Sequence, residues 1–411
     1  MNCGLLGRKL GHSYSPQIHA HLGSYRYALF EKEPEELEAF LKNGDFTGLN
    51  VTIPYKKDVI PYLDELSPAA ERLGAVNTIV RRPDGRLVGH NTDYFGFRWL
   101  VKKSGLAVAG KKVLVLGSGG ASNTAVAVLW ELGADVVVIS RSGENNYENL
   151  DRHADAAVIV NTTPVGMYPN TGKSPLSLAH FPALEGVLDV VYNPARTQIL
   201  LDASARGLIT ENGLWMLVAQ AKESAEWFTG RKIEDEVIAR IHRALRRQME
   251  NIILIGMPGC GKSTLGQAVA AALQREFVDC DAEIVRRAGK SIPEIFAQDG
   301  EGAFRALESG VLTDVCRGHG LVISTGGGAV LRAENRDAMR QNGRVCLIRR
   351  ALALLPRDGR PLSASEDAGA RLWEARRAAY ETAADFPVEN DGTVEAAAEK
   401  IREGFYEAAH H

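Results

Sequence analysis

A glycine-rich loop that ends in lysine and serine carries the most specific chemistry in the chain. Gly256-Met-Pro-Gly-Cys-Gly-Lys-Ser263 follows the apolar run Asn251–Ile255 and opens a helical stretch, Lys262–Leu273. Glycines let backbone N–H groups turn toward phosphate oxygens, and the helix N-terminus adds a positive dipole end. At this spacing the lysine neutralises β- and γ-phosphates and the serine hydroxyl holds Mg²⁺. The pattern predicts an ATP site; the alternative is a glycine-rich turn that binds nothing.

Further polar motifs follow this loop. Phe277-Val-Asp-Cys-Asp281 ends a predicted strand, and acids at i and i+2 leave a strand on the same side. One carboxylate can then reach Mg²⁺ and the other a substrate hydroxyl, although two turn aspartates would give the same pattern. Three glycines follow the run Leu321-Val-Ile. Without side chains they would let a bound molecule approach the backbone closely, although a turn that binds nothing would give the same pattern. The motifs, in order, are Phe304-Arg305 with Glu308 on a helix, Ser324-Thr-Gly-Gly-Gly-Ala329, Asp358-Gly-Arg-Pro-Leu362, and Arg376 with Tyr380.

Together these motifs resemble shikimate kinase over about residues 251–409. The resemblance implies a P-loop α/β domain, like that of nucleoside monophosphate kinases, that uses ATP and Mg²⁺. Shikimate would be held by Asp281, Arg305, Gly327 and Arg376, with the arginines on its carboxylate. Arg360 would close over the transferring phosphate, although the segment 351–360 is short for a lid. By the same resemblance, the catalytic residues are Lys262, Asp281 and Arg360, the ATP-binding residues are Gly259, Gly261, Lys262, Ser263 and Thr264, and the metal-binding residues are Ser263 and Asp279.

A second glycine loop stands in the first half of the chain. Gly117-Ser-Gly-Gly-Ala-Ser122 follows the apolar run 112–116 and opens a helix, and the apolar run 134–139 completes a βαβ unit. An NAD-selective site usually has an acid after this second strand, where the ribose binds. This chain has Ser140-Arg141-Ser142, and an arginine suits a 2′-phosphate. The pattern predicts NADP; the alternative is an ordinary surface arginine.

Four polar clusters precede that loop: Gly11-His-Ser-Tyr-Ser-Pro16, Asn50-Val-Thr-Ile-Pro-Tyr-Lys56, Gly74-Ala-Val-Asn-Thr78 and Gly89-His-Asn-Thr-Asp93. Each alone could be a capped turn. Lys56 and Asp93 form a credible proton-relay pair, because hydride addition to a ketone creates an alkoxide that must be protonated. His12, His19 and His90 have no metal-ligand spacing, which favours structural roles.

These clusters closely resemble shikimate dehydrogenase over about residues 3–245, together with the motifs Asn161–Pro169, Asp189–Pro194 and Asn212–Ala221. Lys56 would then be the catalytic proton-transfer residue, with Asp93 as its partner. The ring of the substrate would be bound by Ser13, Ser15, Asn50, Thr52, Asn77 and Gln220, with Tyr192 helping to line the site.

The same resemblance places NADP(H). The pyrophosphate would lie on Gly117, Gly119, Gly120 and Ala121, the 2′-phosphate on Ser140, Arg141 and Ser142, and the nicotinamide beside Thr163, Met167, Gly213 and Met216. Two departures concern the adenosine end. Asn123 stands where the family often has a basic residue, and Ser140-Arg141-Ser142 replaces the family's Asn-Arg-Thr. No second basic residue follows in 143–146, so selectivity would rest on Arg141 alone. The segment 143–156 is also short, which predicts a trimmed adenosine side of the fold.

The predicted fold class is α/β: a two-domain dehydrogenase unit followed by the P-loop kinase. We expect a substrate domain at 1–104 completed by helices in 214–248, a Rossmann NADP domain at 105–213, and a kinase at 250–409. An amphipathic helix at 232–248 leads into the kinase without a Gly/Ser or Pro-rich linker. The net charge of −3 gives no reason to expect nucleic acid or membrane partners. Five scattered cysteines and no apolar leader favour a reducing cytoplasm.

The combined expectation is a bifunctional enzyme of aromatic amino-acid precursor synthesis, on the route to chorismate. It would reduce 3-dehydroshikimate to shikimate with NADPH and then phosphorylate the newly formed C3 hydroxyl. Alternatives are a quinate/shikimate dehydrogenase that uses NAD, or a chain in which one half is a degenerate binding module. The short junction motivates a further hypothesis, that shikimate is channelled. The oligomeric state is not determined by the sequence.

Overall fold

The chain divides into two compact units in the computed structural model, which describes residues 1–11, 13–355 and 366–407. Unit 1 contains residues 1–165, 173–192 and 202–242. Unit 2 contains residues 243–411 and two short segments, 166–172 and 193–201. The division at residues 242–243 falls inside a helix, Glu236–Met249. This helix lies in the predicted amphipathic segment, and the next strand, Asn251–Ile255, follows it almost at once. The predicted boundaries of three lobes remain predictions.

Unit 1 begins with a mixed sheet of strand order β2-β1-β3-β5-β6-β4. The pairs β3–β5 and β5–β6 are antiparallel, and the other neighbours are parallel. Loops and helices that follow these strands carry most of the predicted substrate residues. The elements are β1 (Asn2–Gly7), α1 (Ser15–Ala20), β2 (Arg26–Glu31), α2 (Leu37–Asn43), β3 (Gly48–Val51), β4 (Glu65–Leu66), α3 (Pro68–Leu73), β5 (Thr78–Arg81), β6 (Leu87–His90) and α4 (Asp93–Ser104).

The second sheet of unit 1 is parallel, with the order β11-β10-β9-β7-β8. The strands that follow β7 in the chain, β8 and β9, lie on opposite sides of it, and ligands bind in such sheets where the strand order reverses. Between β8 and β9 the chain forms one short 3₁₀ helix, Leu150–His153, in line with the short segment expected there. The elements are β7 (Lys112–Leu116), α5 (Gly120–Glu131), β8 (Asp135–Ile139), β9 (Val158–Asn161), β10 (Gly186–Asp189), α6 (Gln198–Ala205), β11 (Ile209–Glu211), α7 (Leu214–Thr229) and α8 (Glu236–Met249).

Unit 2 is built on a parallel sheet of order β13-β14-β12-β15-β16. Its central strand, β12, is fully buried, as expected for a parallel strand covered on both faces. Within this unit the Arg196 guanidinium donates to the carbonyl of Gly343 at 2.8 Å. The elements are β12 (Asn251–Ile255), α9 (Lys262–Leu273), β13 (Phe277–Asp279), α10 (Cys280–Ala288), α11 (Ile292–Gln298), α12 (Gly300–Cys316), β14 (Val322–Ser324), α13 (Ala333–Asn342), β15 (Gly343–Arg349), α14 (Glu366–Ala383), β16 (Phe386–Glu389) and α15 (Val394–Glu407).

The α/β prediction is confirmed, because parallel sheets stand behind both glycine loops. One local expectation was wrong. Asp281 does not leave a strand beside Asp279, because β13 ends at Asp279 and Asp281 lies in the first turn of α10. In the motif that ends at Lys56, β3 stops at Val51 and the chain turns before the lysine. Within the described residues, no helix is both long and apolar enough to cross a membrane.

Helices α4 and α7 touch at Gly96. A β-carbon at this position would lie 2.6 Å from the carbonyl oxygen of Met216 and 3.0 Å from the β-carbon of Gln220. Only glycine therefore lets the two backbones approach so closely. Since α4 begins at Asp93 and α7 carries Met216 and Gln220, this crossing sets the distance between two sets of predicted site residues.

We expect Gly96→Ala to destabilise unit 1 and to lower its catalytic activity. Overpacking a tight contact costs about 1–3 kcal/mol, against a helix-propensity gain of about 1 kcal/mol. Thermal unfolding of the full chain, with steady-state assays of each predicted activity, measures the effect. Gly310→Ala is the matched control, because Gly310 lies inside α12 and a β-carbon added there would meet no atom within 4 Å. Equal stability and activity of the two variants would contradict the prediction.

Candidate active sites

A cavity of about 530 Å³ in unit 1 gathers residues from distant parts of the sequence. The cavity is lined both by predicted ring-binding residues and by some of the residues predicted to bind the pyrophosphate and the nicotinamide. Its lining contains Ser13, Ser15, Asn50, Thr52, Lys56, Asn77, Asp93, Gly120, Ala121, Tyr192, Gly213, Met216 and Gln220. The structure therefore brings together every predicted ring-binding residue of this half with four of the predicted cofactor residues.

An ion pair stands in this cavity. The Lys56 ammonium lies 2.5 Å from the Asp93 carboxylate, and both side chains are partly shielded from solvent, with relative exposures of 31% and 16%. Asp93 is the first residue of α4, where the helix dipole stabilises a negative charge. The pair thus holds an ammonium proton at the cavity wall beside a carboxylate that fixes its position.

Two buried asparagines form the polar back of the cavity. Asn77 accepts a hydrogen bond from the Thr92 backbone N–H at 2.7 Å and faces Gln220, with its amide nitrogen 3.5 Å from the Gln220 side-chain oxygen. Asn50 accepts from the Tyr27 hydroxyl at 2.8 Å and donates to Ser224 at 2.8 Å. Most of the hydrogen-bonding capacity of Asn50 is therefore used within the protein.

The opposite wall is formed by hydroxyls. Ser15 begins α1, and its backbone N–H donates to the Ser13 hydroxyl at 3.2 Å. Tyr192 meets the ring of Tyr14 edge-on, with 6.3 Å between ring centroids. Burial raises the pKa of the Tyr192 phenol above its ordinary value, so the group stays neutral and can donate a hydrogen bond.

The glycine loop between β7 and α5 has the conformation that a bound phosphate requires. Gly117 has a φ of +108°, and β-carbons at Gly119 and Gly120 would meet no atom within 4 Å, so their backbone is open to a ligand. Thr163 is held by Asn161, to which its hydroxyl donates at 2.7 Å. These features fit a dinucleotide pyrophosphate, whose charge would face the N-terminus of α5.

The predicted adenosine end lies directly after β8. Ser140 begins a tight turn in which its backbone N–H donates to the carbonyl of Asn145 at 3.1 Å. Arg141 and Ser142 are exposed on this turn. Neither lines the 530 Å³ cavity, and Gly117, Gly119 and Thr163 do not line it either. Met167 is 43% exposed and belongs to the segment 166–172 of unit 2.

Among the described residues, His19 and His90 make ring contacts inside unit 1 and belong to no group of metal-binding side chains. His19 is buried, stacks on Tyr27 with 4.0 Å between ring centroids, and lies 2.7 Å from the Tyr25 hydroxyl. His90 stacks on Trp227. Burial lowers the pKa of His19 to about 3 and that of His90 to about 4, so both are neutral at pH 7. His12 lies outside the described residues.

In unit 2 the P-loop follows the central strand β12. Gly256, Gly259 and Gly261 have φ values of +144°, +82° and +99°. A residue with a side chain would be strained in this backbone conformation, whereas glycine adopts it readily. The Lys262 ammonium donates to the carbonyls of Gly256 and Met257 at 3.0 and 3.1 Å, so the charge lies over the loop. Thr264 follows in the first turn of α9, whose N-terminus faces the same loop.

Ser263 and Asp279 supply two oxygen atoms beside this loop. The Ser263 hydroxyl donates to one carboxylate oxygen of Asp279 at 2.6 Å, while the other oxygen caps α10 through the N–H groups of Asp281 and Ala282. Hydroxyl and carboxylate oxygens fit Mg²⁺, which usually keeps waters and phosphate oxygens as its other ligands. The described residues contain no group of three or more His, Cys, Asp and Glu side chains that could form an all-protein metal site.

Charged side chains converge on the triple-glycine loop after β14. A β-carbon at Gly326 would lie 2.8 Å from a carboxylate oxygen of Asp281 and 2.6 Å from one of Glu308. Arg305 donates to the buried Glu308 at 2.8 Å, so a residue that the sequence analysis gave no role fixes the guanidinium. Burial, together with the charges of Asp279 and Glu308, raises the pKa of Asp281 to about 6.

The remaining predicted kinase residues join this loop to the P-loop. Arg376 and Tyr380 both donate to the carbonyl of Gly327, at 3.0 and 2.5 Å. A β-carbon at Gly327 would lie 2.8 Å from the Pro258 ring, so the triple-glycine loop touches the P-loop. Asn390, which the sequence analysis missed, donates to the carbonyl of Cys260 at 2.7 Å. Arg360 lies outside the described residues.

Comparisons with known proteins find relatives for both halves of the chain. The family model "Shikimate dehydrogenase substrate binding domain" matches residues 5–79, and the model "Shikimate kinase" matches residues 258–405. The curated "Shikimate dehydrogenase (NADP(+))" of Clostridium perfringens is 36% identical over 265 residues, which cover 59% of this chain and 97% of that protein.

Solved structures give the same result. Shikimate 5-dehydrogenase from Thermus thermophilus, in complex with NADP(H) and shikimate, is 31% identical with a TM-score of 0.54, and the match covers 59% of this chain and 99% of that one. Quinate dehydrogenase from Corynebacterium glutamicum, in complex with NAD, is 28% identical with a TM-score of 0.54 and covers 60% and 98%. Both resemblances inferred from the motifs are confirmed. The chain belongs to the shikimate dehydrogenase family and carries a shikimate kinase domain in the same polypeptide.

Proposed function

We propose that unit 1 reduces 3-dehydroshikimate to shikimate with NADPH and that the kinase site of unit 2 transfers the γ-phosphate of ATP to the new C3 hydroxyl. The observation that carries the first step is the Lys56–Asp93 pair in a cavity that also contains amides, hydroxyls and the open glycines of a dinucleotide loop. The observation that carries the second is the contact between the P-loop and the triple-glycine loop.

In the reduction, NADPH supplies the hydride when bound. The C3 carbonyl carbon gains the hydride, and the carbonyl oxygen takes a proton from the Lys56 ammonium. The neutral amine that remains on Lys56 then regains a proton from solvent. Asp93 holds the ammonium in place through their ion pair. Thr52, Asn77, Gln220 and the two serines of the opposite wall, Ser13 and Ser15, bind the ring hydroxyls and carboxylate, with Asn50 and Tyr192 completing the wall.

The cofactor residues follow from the loop positions. Gly117, Gly119, Gly120 and Ala121 hold the pyrophosphate at the start of α5, and Thr163, Gly213 and Met216 flank the nicotinamide. Arg141 supplies the charge for the 2′-phosphate, with the hydroxyls of Ser140 and Ser142 beside it. Because Arg141 is exposed and stands in a turn without a second basic residue, it carries the discrimination between NADP and NAD.

In the kinase, the P-loop residues Gly259, Gly261, Lys262, Ser263 and Thr264 hold the phosphates of ATP, and Ser263 and Asp279 hold Mg²⁺. Asp281 accepts the proton of the C3 hydroxyl, while Arg305 and Arg376 pair with the shikimate carboxylate beside Gly327. Catalysis of this kind depends mainly on positioning and charge stabilisation.

The two activities should fail separately. Lys56→Ala removes the proton donor, so dehydroshikimate reduction should fall by about 10²-fold or more while phosphorylation of added shikimate is unchanged. Lys262→Ala should abolish phosphorylation and leave NADPH oxidation intact. A one-pot assay with 3-dehydroshikimate, NADPH, ATP and Mg²⁺ follows NADPH loss and ADP formation. Lys42→Ala, at an exposed lysine of α2, is the charge-loss control. Loss of both activities in either single variant would contradict independent sites.

Arg141→Ser should reduce the preference for NADPH over NADH about tenfold or more, because a hydrogen bond to a charged group contributes about 1.5–3 kcal/mol. The KM for NADPH should rise while kinetics with NADH stay unchanged. Arg152→Ser, at an exposed arginine of the 3₁₀ helix after the same strand, is the matched control. A wild-type chain that prefers NADH, or oxidises quinate better than shikimate, would support the alternative of an NAD-using quinate/shikimate dehydrogenase.

Phosphorylation should be lost as the pH falls through about 6. Asp281 must be deprotonated to accept the hydroxyl proton, and its pKa is raised to about 6 by burial and by the neighbouring acids. The kcat/KM for shikimate should therefore be about tenfold lower one pH unit below that pKa than at neutral pH. Asp281→Asn should be nearly inactive at every pH. Glu283→Gln, at another acid of α10, should keep the wild-type profile; a wild-type profile that stays flat to pH 5 would exclude this role for Asp281.

A further inference from the structure

Behind the cavity of unit 1 lies a serine that does not line it and to which the motif comparison gave no role. Ser224 is on α7, one helical turn after Gln220, and its side chain is fully buried. Its hydroxyl oxygen lies 2.8 Å from the Asn50 amide nitrogen, 2.8 Å from the Thr78 hydroxyl and 2.9 Å from the Thr92 hydroxyl. It also donates to the carbonyl of Gln220 at 2.9 Å.

These partners come from four separate elements. Asn50 is in β3, Thr78 begins β5, Thr92 directly precedes α4, and Ser224 is in α7. All four side chains are buried, and Ser224, Thr78 and Thr92 do not line the cavity. A single hydroxyl group thus joins the elements that carry the lining residues, from behind the cavity wall.

The number of available protons restricts how this cluster can be arranged. A serine hydroxyl has one proton and two acceptor positions. The backbone carbonyl of Gln220 can only accept a hydrogen bond, and the Asn50 amide nitrogen can only donate one. The Ser224 hydroxyl therefore donates to that carbonyl and accepts from Asn50 and from one threonine. Asn50 must then direct its oxygen to Tyr27, from which it accepts at 2.8 Å.

The same cluster acts on Asn77 and Gln220. The Thr78 and Thr92 hydroxyls lie 3.1 and 3.2 Å from the Asn77 side-chain oxygen. Thr92 also lies 3.4 Å from the Gln220 side-chain oxygen and directly precedes Asp93. A threonine that donates to Asn77 keeps the amide nitrogen of Asn77 on the side of Gln220, and the other threonine stays paired with Ser224.

We propose that Ser224 is a positioning residue for the dehydrogenase reaction, which sets the orientation of the Asn50, Asn77 and Gln220 amides that face the substrate ring. The inference rests on the proposed reduction of 3-dehydroshikimate. Without this hydroxyl, the Asn50 nitrogen keeps only its longer contacts, at 3.3 Å to Thr78 and 3.4 Å to the Asn77 carbonyl. The amides can then rotate, and the ring loses correctly directed donors and acceptors.

The test is steady-state kinetics of the full chain with Ser224→Ala. We expect the KM for 3-dehydroshikimate to rise about tenfold, the change given by loss of about one well-made hydrogen bond. The KM for NADPH and the kinase activity should remain within about twofold of wild type, because the hydrogen bonds of Ser224 go to Asn50, Thr78, Thr92 and Gln220 and to no residue of the glycine loop or the P-loop. Ser224→Cys, close in volume and a weaker hydrogen-bonding group, should give an intermediate KM.

Ser104→Ala is the matched control. Ser104 is also a buried serine of unit 1 that donates to a helix carbonyl, that of Val101 at 2.7 Å, but it lies at the far end of α4. It should lower the melting temperature without changing the KM for 3-dehydroshikimate. An equal rise in KM in Ser104→Ala would show general loosening of the unit and overturn the proposal.

A double-mutant cycle tests the route through Asn50. Adding Ser224→Ala to Asn50→Ala should raise the KM much less than Ser224→Ala does alone, because the two changes break the same interaction. Full additivity would overturn that route, and an unchanged KM in Ser224→Ala or in Ser224→Cys relative to wild type would overturn the positioning role. Failure of the wild-type chain to reduce 3-dehydroshikimate would instead refute the proposed function itself.

Discussion

Both active sites depend on approaches between chain segments that are closer than a β-carbon allows. In unit 1, Gly96 lets α4 contact the backbone of α7, which places Asp93 and Gln220 at one cavity. In unit 2, Gly327 contacts the Pro258 ring, which places the triple-glycine loop against the P-loop. A methyl group at either position would separate elements whose side chains must act on one small molecule, and misplacement of about 1 Å is enough to reduce catalysis strongly.

The two sites handle charge differently. Lys56 and Asp93 pair at a cavity wall and remain partly exposed to solvent. In the kinase, Glu308 is buried and paired with Arg305, while Asp281 lies close to two other acids. The buried Glu308 carboxylate needs such a partner, because an unpaired buried charge is costly. Burial, together with the charges of the neighbouring acids, raises the pKa of Asp281.

Hydrogen-bond saturation explains why the cavity of unit 1 has a defined polar pattern. Side-chain amides can bind a ring in either of two orientations unless their other partners fix them. Here those partners are Tyr27 and Ser224 for Asn50 and Thr92 for Asn77. The donors and acceptors that stay unused on these amides are the ones that a substrate would meet. The adenosine end lacks this kind of support, because Arg141 stands on an exposed turn. On the proposed function, specificity for the ring would be built into the core, whereas specificity for the cofactor phosphate would depend on one surface side chain, Arg141.

The sequence by itself determined the local units. The run 112–116 forms β7, 251–255 forms β12, and Lys262–Leu273 forms α9, because apolar strands, glycine turns and helix starts are set by neighbouring residues. The ordered motifs also determined the two families. The Asp279–Asp281 pair was misinterpreted because a helix cap, which depends on where β13 ends, replaced the expected strand geometry. Only the tertiary structure decided which residues meet: Ser224 lies 174 positions from Asn50, and a serine inside a helix has no local feature that reveals such a contact. Side-chain hydrogen bonding of this kind follows from packing between elements, which adjacent residues in the chain do not encode.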